Sequence, residues 1–451
     1  TDTGTGRRPA PTNSTASKSD CRFTEFPVNV EEAVHAMNPE QHLSATDPPL
    51  GAAGLGPPGC PPEAADLRER VRAFVRERVM PCEPVLDAGG DAARSTLRGL
   101  QAEARRAGLW ALPLPEEYGG QGLGLPLYFH VAEAEGASDH GPAALGSAPL
   151  LNVLMLARHA DDTVRDRFLR RIADGEVRTC YAMTEPETPG TDPGLTATRA
   201  VSDAAGGWVL HGRKWFTSGA GDADLVTVLA RVDDEGPGTD SLSLFLVPAS
   251  AAGFTVVREL PVLGAGGQWE IELDGVAVPP EQVVGAPGQA LRIAGERLVL
   301  GRVLRCLRWL GQAERAFDLM CLRARSRSQT AGPLADRQLV QQMVFDSLLA
   351  IRSTRPLVHE AAARLAAGGD ARLETGLAKV AAARMLQQVA DAAIQVHGAA
   401  GLGPDTALPG LFRTGRTARL LDGPDELHIT AVARRVLRGY PVTSRTVPSG
   451  R

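Results

Sequence analysis

A chain of 451 residues exceeds the roughly 100 to 200 residues of one ordinary domain, so two or three packed units are expected. Its 43% hydrophobic and 22% charged content is that of a globular protein and excludes a collagen-like or low-complexity polymer. With 48 Lys and Arg against 53 Asp and Glu, a net charge of -5 leaves no basic excess to neutralise phosphates, so nucleic acid is not an expected partner. Six cysteines (Cys21, Cys60, Cys82, Cys180, Cys306, Cys321) form no C-x-x-C pair, which disfavours a zinc knot or a disulfide scaffold and points to a reducing cytoplasm. No run approaches the roughly 18 apolar residues of a membrane span, and the first residues do not read as an export signal.

Ten of the 33 prolines fall in residues 1–62, among Ser, Thr, Gly and Ala, so this segment is expected to be a flexible extension with little apolar area to offset ordering. Within it, Phe26, Val28, Val30 and Val34 offer a local docking patch. Residues 63–178 read as a helical domain: Leu67, Val71, Phe74 and Val75 recur at three and four residues. Residues 100–109 and 150–156 continue that pattern on either side of a turn-rich stretch. Residues 179–286 drop to a period of two, with strands expected at 208–216, 225–232, 242–247, 254–260 and 269–273; Trp269, Ile271 and Leu273 alternate with Glu270, Glu272 and Asp274. This is a small antiparallel β domain. Residues 287–440 return to the helical period in four long patterns (291–325, 335–367, 371–397 and 425–437), a four-helix bundle, followed by a tail at 441–451. The order of helices, β module and helices is an α+β architecture.

Gly54-Leu55-Gly56-Pro57-Pro58-Gly59 formally fits the dinucleotide fingerprint, but its two prolines remove backbone donors and nothing strand-like precedes it. No P-loop, nucleophile elbow or H-E-x-x-H string occurs. Two other strings are informative. Cys180-Tyr181-Ala182-Met183-Thr184-Glu185-Pro186 leads from a strand into a hydroxyl-rich loop that extends to Asp192, where backbone N–H groups and hydroxyls can meet an anionic or carbonyl-rich cofactor. About thirty residues on, Gly212-Arg213-Lys214-Trp215-Phe216-Thr217-Ser218 is a second strand ending in aromatic and hydroxyl groups. Either alone reads as ordinary β packing.

Together, across residues 63–440, they resemble the acyl-CoA dehydrogenase flavoprotein family, whose middle domain carries Tyr-x-x-Thr-Glu-Pro and Lys-Trp-x-Thr. Four more strings agree in order: Pro115-Glu116-Glu117-Tyr118-Gly119-Gly120; Gly301-Arg302 before Leu310-Gly311-Gln312-Ala313-Glu314-Arg315; residues 327–334; and Gln395-Val396-His397-Gly398-Ala399-Ala400-Gly401. The resemblance implies an N-terminal helical domain, a middle antiparallel β-barrel-like domain and a C-terminal four-helix bundle. It implies FAD as cofactor, with Tyr181, Met183, Thr184, Thr191, Trp215 and Thr217 facing the flavin. Arg327, Gln338, Gln395, Gly398 and Glu426 are placed with the cofactor too, Arg327 on the pyrophosphate of a neighbouring subunit's FAD, which suits a bidentate guanidinium. Arg302 is placed beside the substrate. Thr330-Ala331 stands where the family has Phe-Gly, which removes an aromatic contact to the adenosine side.

The implied reaction is α,β-desaturation of an acyl thioester, acyl-CoA above all: a carboxylate takes the α-proton while hydride leaves the β-carbon for the flavin. The residues Leu421-Asp422-Gly423-Pro424-Asp425-Glu426 stand where most members have Tyr-Glu-Gly-Thr and match a branch with Asp-Gly-Pro-Asp-Glu, making Asp422 the candidate base. Glu296, in a Glu-Arg-Leu-Val-Leu string like that of members with the base on another helix, is the rival, although alignment on Leu310-Gly311-Gln312-Ala313 puts Gly301 at that place. By default, Asp422 and Gly423 are a plain turn before a helix. The implied partners are an electron-transferring flavoprotein and further copies of the chain, as homodimer or homotetramer. Two alternatives stay open: a same-fold oxidase or a desaturase acting on a carrier-protein or other substrate, and a non-catalytic binding subunit, suggested by Thr330, Pro424 and the shortened base.

Overall fold

The computed structural model describes residues 60–204, 206–232 and 241–441. Most of the Pro-rich extension, with the apolar patch from Phe26 to Val34 and the Gly54–Gly59 string, lies outside the described residues, as does Cys21. The five described cysteines are free. No helix among the described residues is long and apolar enough to cross a membrane.

The chain begins with helices α1 (Pro62–Phe74), α2 (Glu83–Ala88), α3 (Gly90–Arg106), α4 (Leu125–Glu135), α5 (Gly141–Ala144), α6 (Leu150–His159) and α7 (Asp162–Ala173). The expected stripe is the buried one: Val71, Phe74 and Val75 are in the core. Helix α7 starts where Asp161 accepts a hydrogen bond from the Thr163 N–H at 2.9 Å, satisfying one of the donors that every helix N-terminus leaves open.

Seven strands follow: β1 (Thr179–Ala182), β2 (Arg199–Ser202), β3 (Trp208–Ser218), β4 (Leu225–Val232), β5 (Leu242–Pro248), β6 (Phe254–Glu259) and β7 (Gln268–Val278). Hydrogen bonding runs β1-β4-β2-β3-β7-β6, with β5 on β4. Antiparallel pairing dominates, as expected, but β4 also runs parallel to both β1 and β2. A hydrophobic pattern fixes which face a residue takes and says nothing of the neighbour's direction, so this mixed pairing has no signature in the sequence. Strands β4 and β5 are buried on both faces. Val226, Val228, Phe245 and Val247 belong to the sheet's own core, while Leu225, Leu229, Leu244 and Leu246 pack into the core that the helices share. That double burial is why both strands read as continuous apolar runs.

The C-terminal part holds α8 (Ala290–Ser326), a short hairpin β8–β9 (Ser328–Gln329 and Gly332–Pro333), α9 (Gln338–Ala366), α10 (Arg372–His397), α11 (Leu408–Ala418) and α12 (Asp425–Leu437). Four of these helices match the four patterns. Helix α11 is additional, and it crosses α10 so closely that a Cβ on Gly415 would lie 2.8 Å from the Gln387 Cα. One core joins the first and last helical parts. Within it Arg355 of α9 bonds Glu133 of α4 at 2.8 Å and also reaches Glu314 of α8.

Candidate active site

The two β motifs meet directly. The Trp215 N–H donates to the Thr184 carbonyl at 3.0 Å, and the Thr184 hydroxyl donates to the Trp215 carbonyl at 2.7 Å. Strand β3 is irregular here, since Lys214 pairs with Ile271 but Thr217 with Trp269, which leaves one extra residue on β3. Phe216 takes up the bulge with a φ of 49° and is exposed, and its ring stands 4.8 Å from that of Trp215. A bulge re-aims the side chains beside it. Thr217 and Tyr181 each hold a buried hydroxyl that has no hydrogen-bond partner, and burial pushes the Tyr181 phenol up to about 12, with Arg297 opposing. Met183 is half-buried beside them, and Thr191 is exposed on the loop.

Beneath this edge the Glu of the first motif and the Lys of the second form a buried pair. The fully buried Lys214 ammonium donates to Glu185 at 2.7 Å and to the Met183 carbonyl at 3.0 Å. Glu185 also accepts from the Ala197 and Thr198 N–H groups at 2.7 and 2.9 Å. Burial lowers the Lys214 pKa to about 8 against the pull of Glu185. Burial alone would raise the Glu185 pKa, but Lys214 and the hydrogen bonds hold it at about 2. The loop after β1 is thus fastened to β3 from inside.

Asp422 sits in the turn between α11 and α12. Its φ is 54° and that of Gly423 is 100°, two consecutive left-handed residues, a conformation Asp tolerates better than most and Gly adopts freely. A Cβ on Gly423 would lie 2.9 Å from Leu427 and 3.0 Å from His428 Nε2. From α8, Arg302 Nε donates to the Asp422 carbonyl at 2.9 Å, and Arg305 Nε lies 2.5 Å from the Asp422 carboxylate. Arg302, expected beside the substrate, thus has its Nε engaged with the backbone of the turn. A third arginine of the same helix, Arg297, lays its guanidinium 4.3 Å from the Tyr181 ring centre and donates from Nε and Nη2 to Asn152 at 3.2 and 3.0 Å. Arg297 has no motif of its own; the only signal is its place next to Glu296. Through it the Tyr181 edge and the Asp422 turn share one wall. Glu296 is turned elsewhere, bonded to His159 at 3.0 Å and Arg292 at 2.8 Å.

A second group forms at the far end of α8. Arg327, Ser328, Gln329, Thr330, Gln395 and Gly398 line a cavity of about 700 Å³, which brings the Arg327 segment and the Gln395 segment together across α8 and α10. Gln338, at the start of α9, and Glu426, in the first turn of α12, are exposed and are not among the residues that line it.

Three family models match in order along the chain: the acyl-CoA dehydrogenase N-terminal domain over residues 61–176, the middle domain over 180–276 and the C-terminal domain over 288–437. The probable acyl-CoA dehydrogenase FadE2 of Mycobacterium tuberculosis is 36% identical over 83% of this chain and 95% of its own length. The (R)-benzylsuccinyl-CoA dehydrogenase of Thauera aromatica is 31% identical over the same share of each. A solved structure from Mycobacterium abscessus, named there as a candidate acyl-CoA dehydrogenase, superposes with a TM-score of 0.80 at 34% identity, over 84% of this chain and 99% of that one. Since helices, mixed sheet and helix bundle follow in the order of those three models, the chain belongs to the acyl-CoA dehydrogenase family of flavoprotein oxidoreductases.

Proposed function

We propose that this protein is an FAD-dependent dehydrogenase that introduces an α,β double bond into an acyl thioester, with Asp422 as the base. The observation that carries the reading is the placement of the Asp422 carboxylate: it stands on a left-handed turn fixed by α8, on the same wall as the Tyr181 edge. Both carboxylates are paired, Asp422 with Arg305 and Glu296, the rival, with His159 and Arg292, so the choice between them rests on that placement; Gly301 offers no carboxylate.

The residues present fit a flavin at the β edge. The hydroxyls of Tyr181 and Thr217 are buried and unpartnered, a cost that a ligand with donors and acceptors along its rim would remove. Tyr181, Met183, Thr184, Trp215 and Thr217 would hold it, with Thr191 at the loop's outer side. When bound, the flavin supplies an acceptor for the β-hydride. Asp422 takes the α-proton, and Arg302 and Arg305 keep its turn and carboxylate in place meanwhile.

The cavity at Arg327 suits the pyrophosphate and adenosine end of a dinucleotide, with a guanidinium and the Gln395 and Gly398 segment facing each other. Arg302 and Arg327 are 25 residues apart on and just beyond one helix, which at 1.5 Å per residue is about 37 Å. That span favours a cofactor shared between subunits, with Arg327, Gln338, Gln395 and Gly398 serving the partner's FAD and Glu426, four residues beyond Asp422, serving the chain's own. Leu339, Phe345 and Leu349 of α9 are exposed, which supports a homodimer or homotetramer built on that helix. An electron-transferring flavoprotein is the proposed oxidant of the reduced cofactor, and the proposed domains are residues 63–178, 179–286 and 287–440.

The test is an anaerobic absorbance titration of the purified protein and of Asp422→Asn with straight-chain, branched and aryl-substituted acyl-CoA thioesters, the last because one relative is named for (R)-benzylsuccinyl-CoA. The oxidised-flavin band should bleach with the preferred thioester, and the variant should bleach about 10²- to 10⁴-fold more slowly while keeping its flavin. Equal bleaching rates would remove Asp422 from the role.

A further inference from the structure

The turn beneath Asp422 is held by a side chain outside every motif. Lys379, on α10, is fully buried, and its ammonium donates to the Gly423 carbonyl at 2.6 Å. Its counter-charge, the buried Asp425, stands off at 3.9 Å. The Asp425 Oδ2 is occupied by Arg384 at 3.2 Å and Arg419 at 2.9 Å, and its Oδ1, on the lysine side, has no hydrogen-bond partner. The lysine therefore gives its short contact to backbone and not to the carboxylate. One residue back, the Asp422 carbonyl takes Arg302 at 2.9 Å and lies 3.2 Å from His428 Nε2. Burial lowers the His428 pKa, with Arg302 and Lys379 acting in the same direction, and the Nε2–H tautomer would donate to that carbonyl.

We propose that Lys379 is a positioning residue for the base: by fixing the Gly423 carbonyl it holds the left-handed pair Asp422-Gly423 in the one backbone conformation that aims the Asp422 carboxylate. Left-handed residues persist where the surroundings over-determine them, and here two consecutive carbonyls are each held by a cation from a different helix. The choice of residue is informative in this chain, where 45 of the 48 basic residues are arginine and the lysines are Lys18, Lys214 and Lys379. A compact ammonium reaches a buried carbonyl where a planar guanidinium would overpack. The proposal rests on the reading of Asp422 as the base.

The experiment uses the flavin-loaded enzyme with an α-deuterated acyl-CoA and its light counterpart, comparing wild type, Lys379→Met and Lys379→Arg, with flavin content and melting temperature recorded for each. Lys379→Met should lower kcat about 10- to 100-fold, the usual cost of displacing a catalytic group by a fraction of an ångström to an ångström, with KM changed less than about threefold. The isotope effect on kcat should rise because proton removal has become slower, a signature that mere loosening of the fold would not produce. Lys379→Arg should not restore the rate. If Lys379→Met does not fold, Lys379→Gln, which retains a donor of shorter reach, carries the same readouts. Wild-type kcat and isotope effect in a folded variant, with Asp422→Asn inactive, would overturn the positioning role alone. Full activity of Asp422→Asn would remove the base assignment beneath it.

Discussion

Lys214 and Lys379 are both fully buried, yet the first meets its carboxylate at 2.7 Å whereas the second meets a carbonyl at 2.6 Å and its carboxylate at 3.9 Å. Glu185 is saturated by backbone and hydroxyl donors besides Lys214; Asp425 has three cations around it and one oxygen left unbonded. The first arrangement fastens a loop to a strand and is closed in charge and hydrogen bonding. In the second, the charge is balanced at a distance so that the short bond can be given to a peptide group. Buried ammonium groups can therefore serve two ends in one chain, tertiary anchoring and backbone orientation, and the partner of the shortest bond distinguishes them.

The largest effect expected from this contrast is on Lys214→Met. It strands a buried carboxylate and should destabilise the protein by about 3 to 5 kcal/mol, read from urea unfolding, with cofactor retention falling in parallel. Acid should act on the same anchor. Glu185 ionises at about 2 in the fold and near 4.5 when unfolded, so its contribution is complete above about pH 4.5. Stability is then lost as the pH falls toward 2, because the unfolded chain takes up the proton first. Unfolding measured between pH 3 and 6 should show that slope in wild type and a flatter one in Glu185→Gln. Lys379→Met should cost less stability, about 1 to 3 kcal/mol, because Asp425 keeps Arg384 and Arg419, so the two lysines separate in a plot of stability loss against loss of kcat. A stability loss for Lys379→Met equal to that for Lys214→Met would erase the distinction. The smallest effect is at the rim: Thr217→Val should stabilise the flavin-free protein by about 1 kcal/mol by removing an unpaired buried hydroxyl. The same change should weaken flavin binding about fivefold to tenfold, measured by fluorescence titration.

Much of this architecture is legible in the sequence where one period dominates. Val71, Phe74 and Val75 mark a helix face, and Trp269, Ile271 and Leu273 a strand face, because burial repeats at the spacing of the element. Helix α11 is not legible, since Pro409, Gly410 and Gly415 read as breakers. Pro409, however, sits in the first turn, where its missing N–H is not needed, and Gly415 is required by the crossing with α10. The bulge at Phe216 depends on the register against β7, which no single strand encodes. The motif strings locate Tyr181, Thr184, Trp215, Arg327 and Asp422, whereas Lys379 lies in none of them and Arg297 enters only as the neighbour of Glu296: their importance comes from partners 44 residues away in the chain for Lys379 and 145 for Arg297. Lysine is also read by default as a surface residue, and that default fails for both described lysines here.

The same scarcity gives the molecule a built-in gauge. With only Lys18 besides the two interior ammonium groups, an amine-acylating reagent can modify Lys214 or Lys379 only when the surrounding structure opens. Acylation at Lys214 would time the release of the loop after β1, and acylation at Lys379 the release of the turn under Asp422, so peptide mapping of one labelling reaction would rank the two openings in a single native sample.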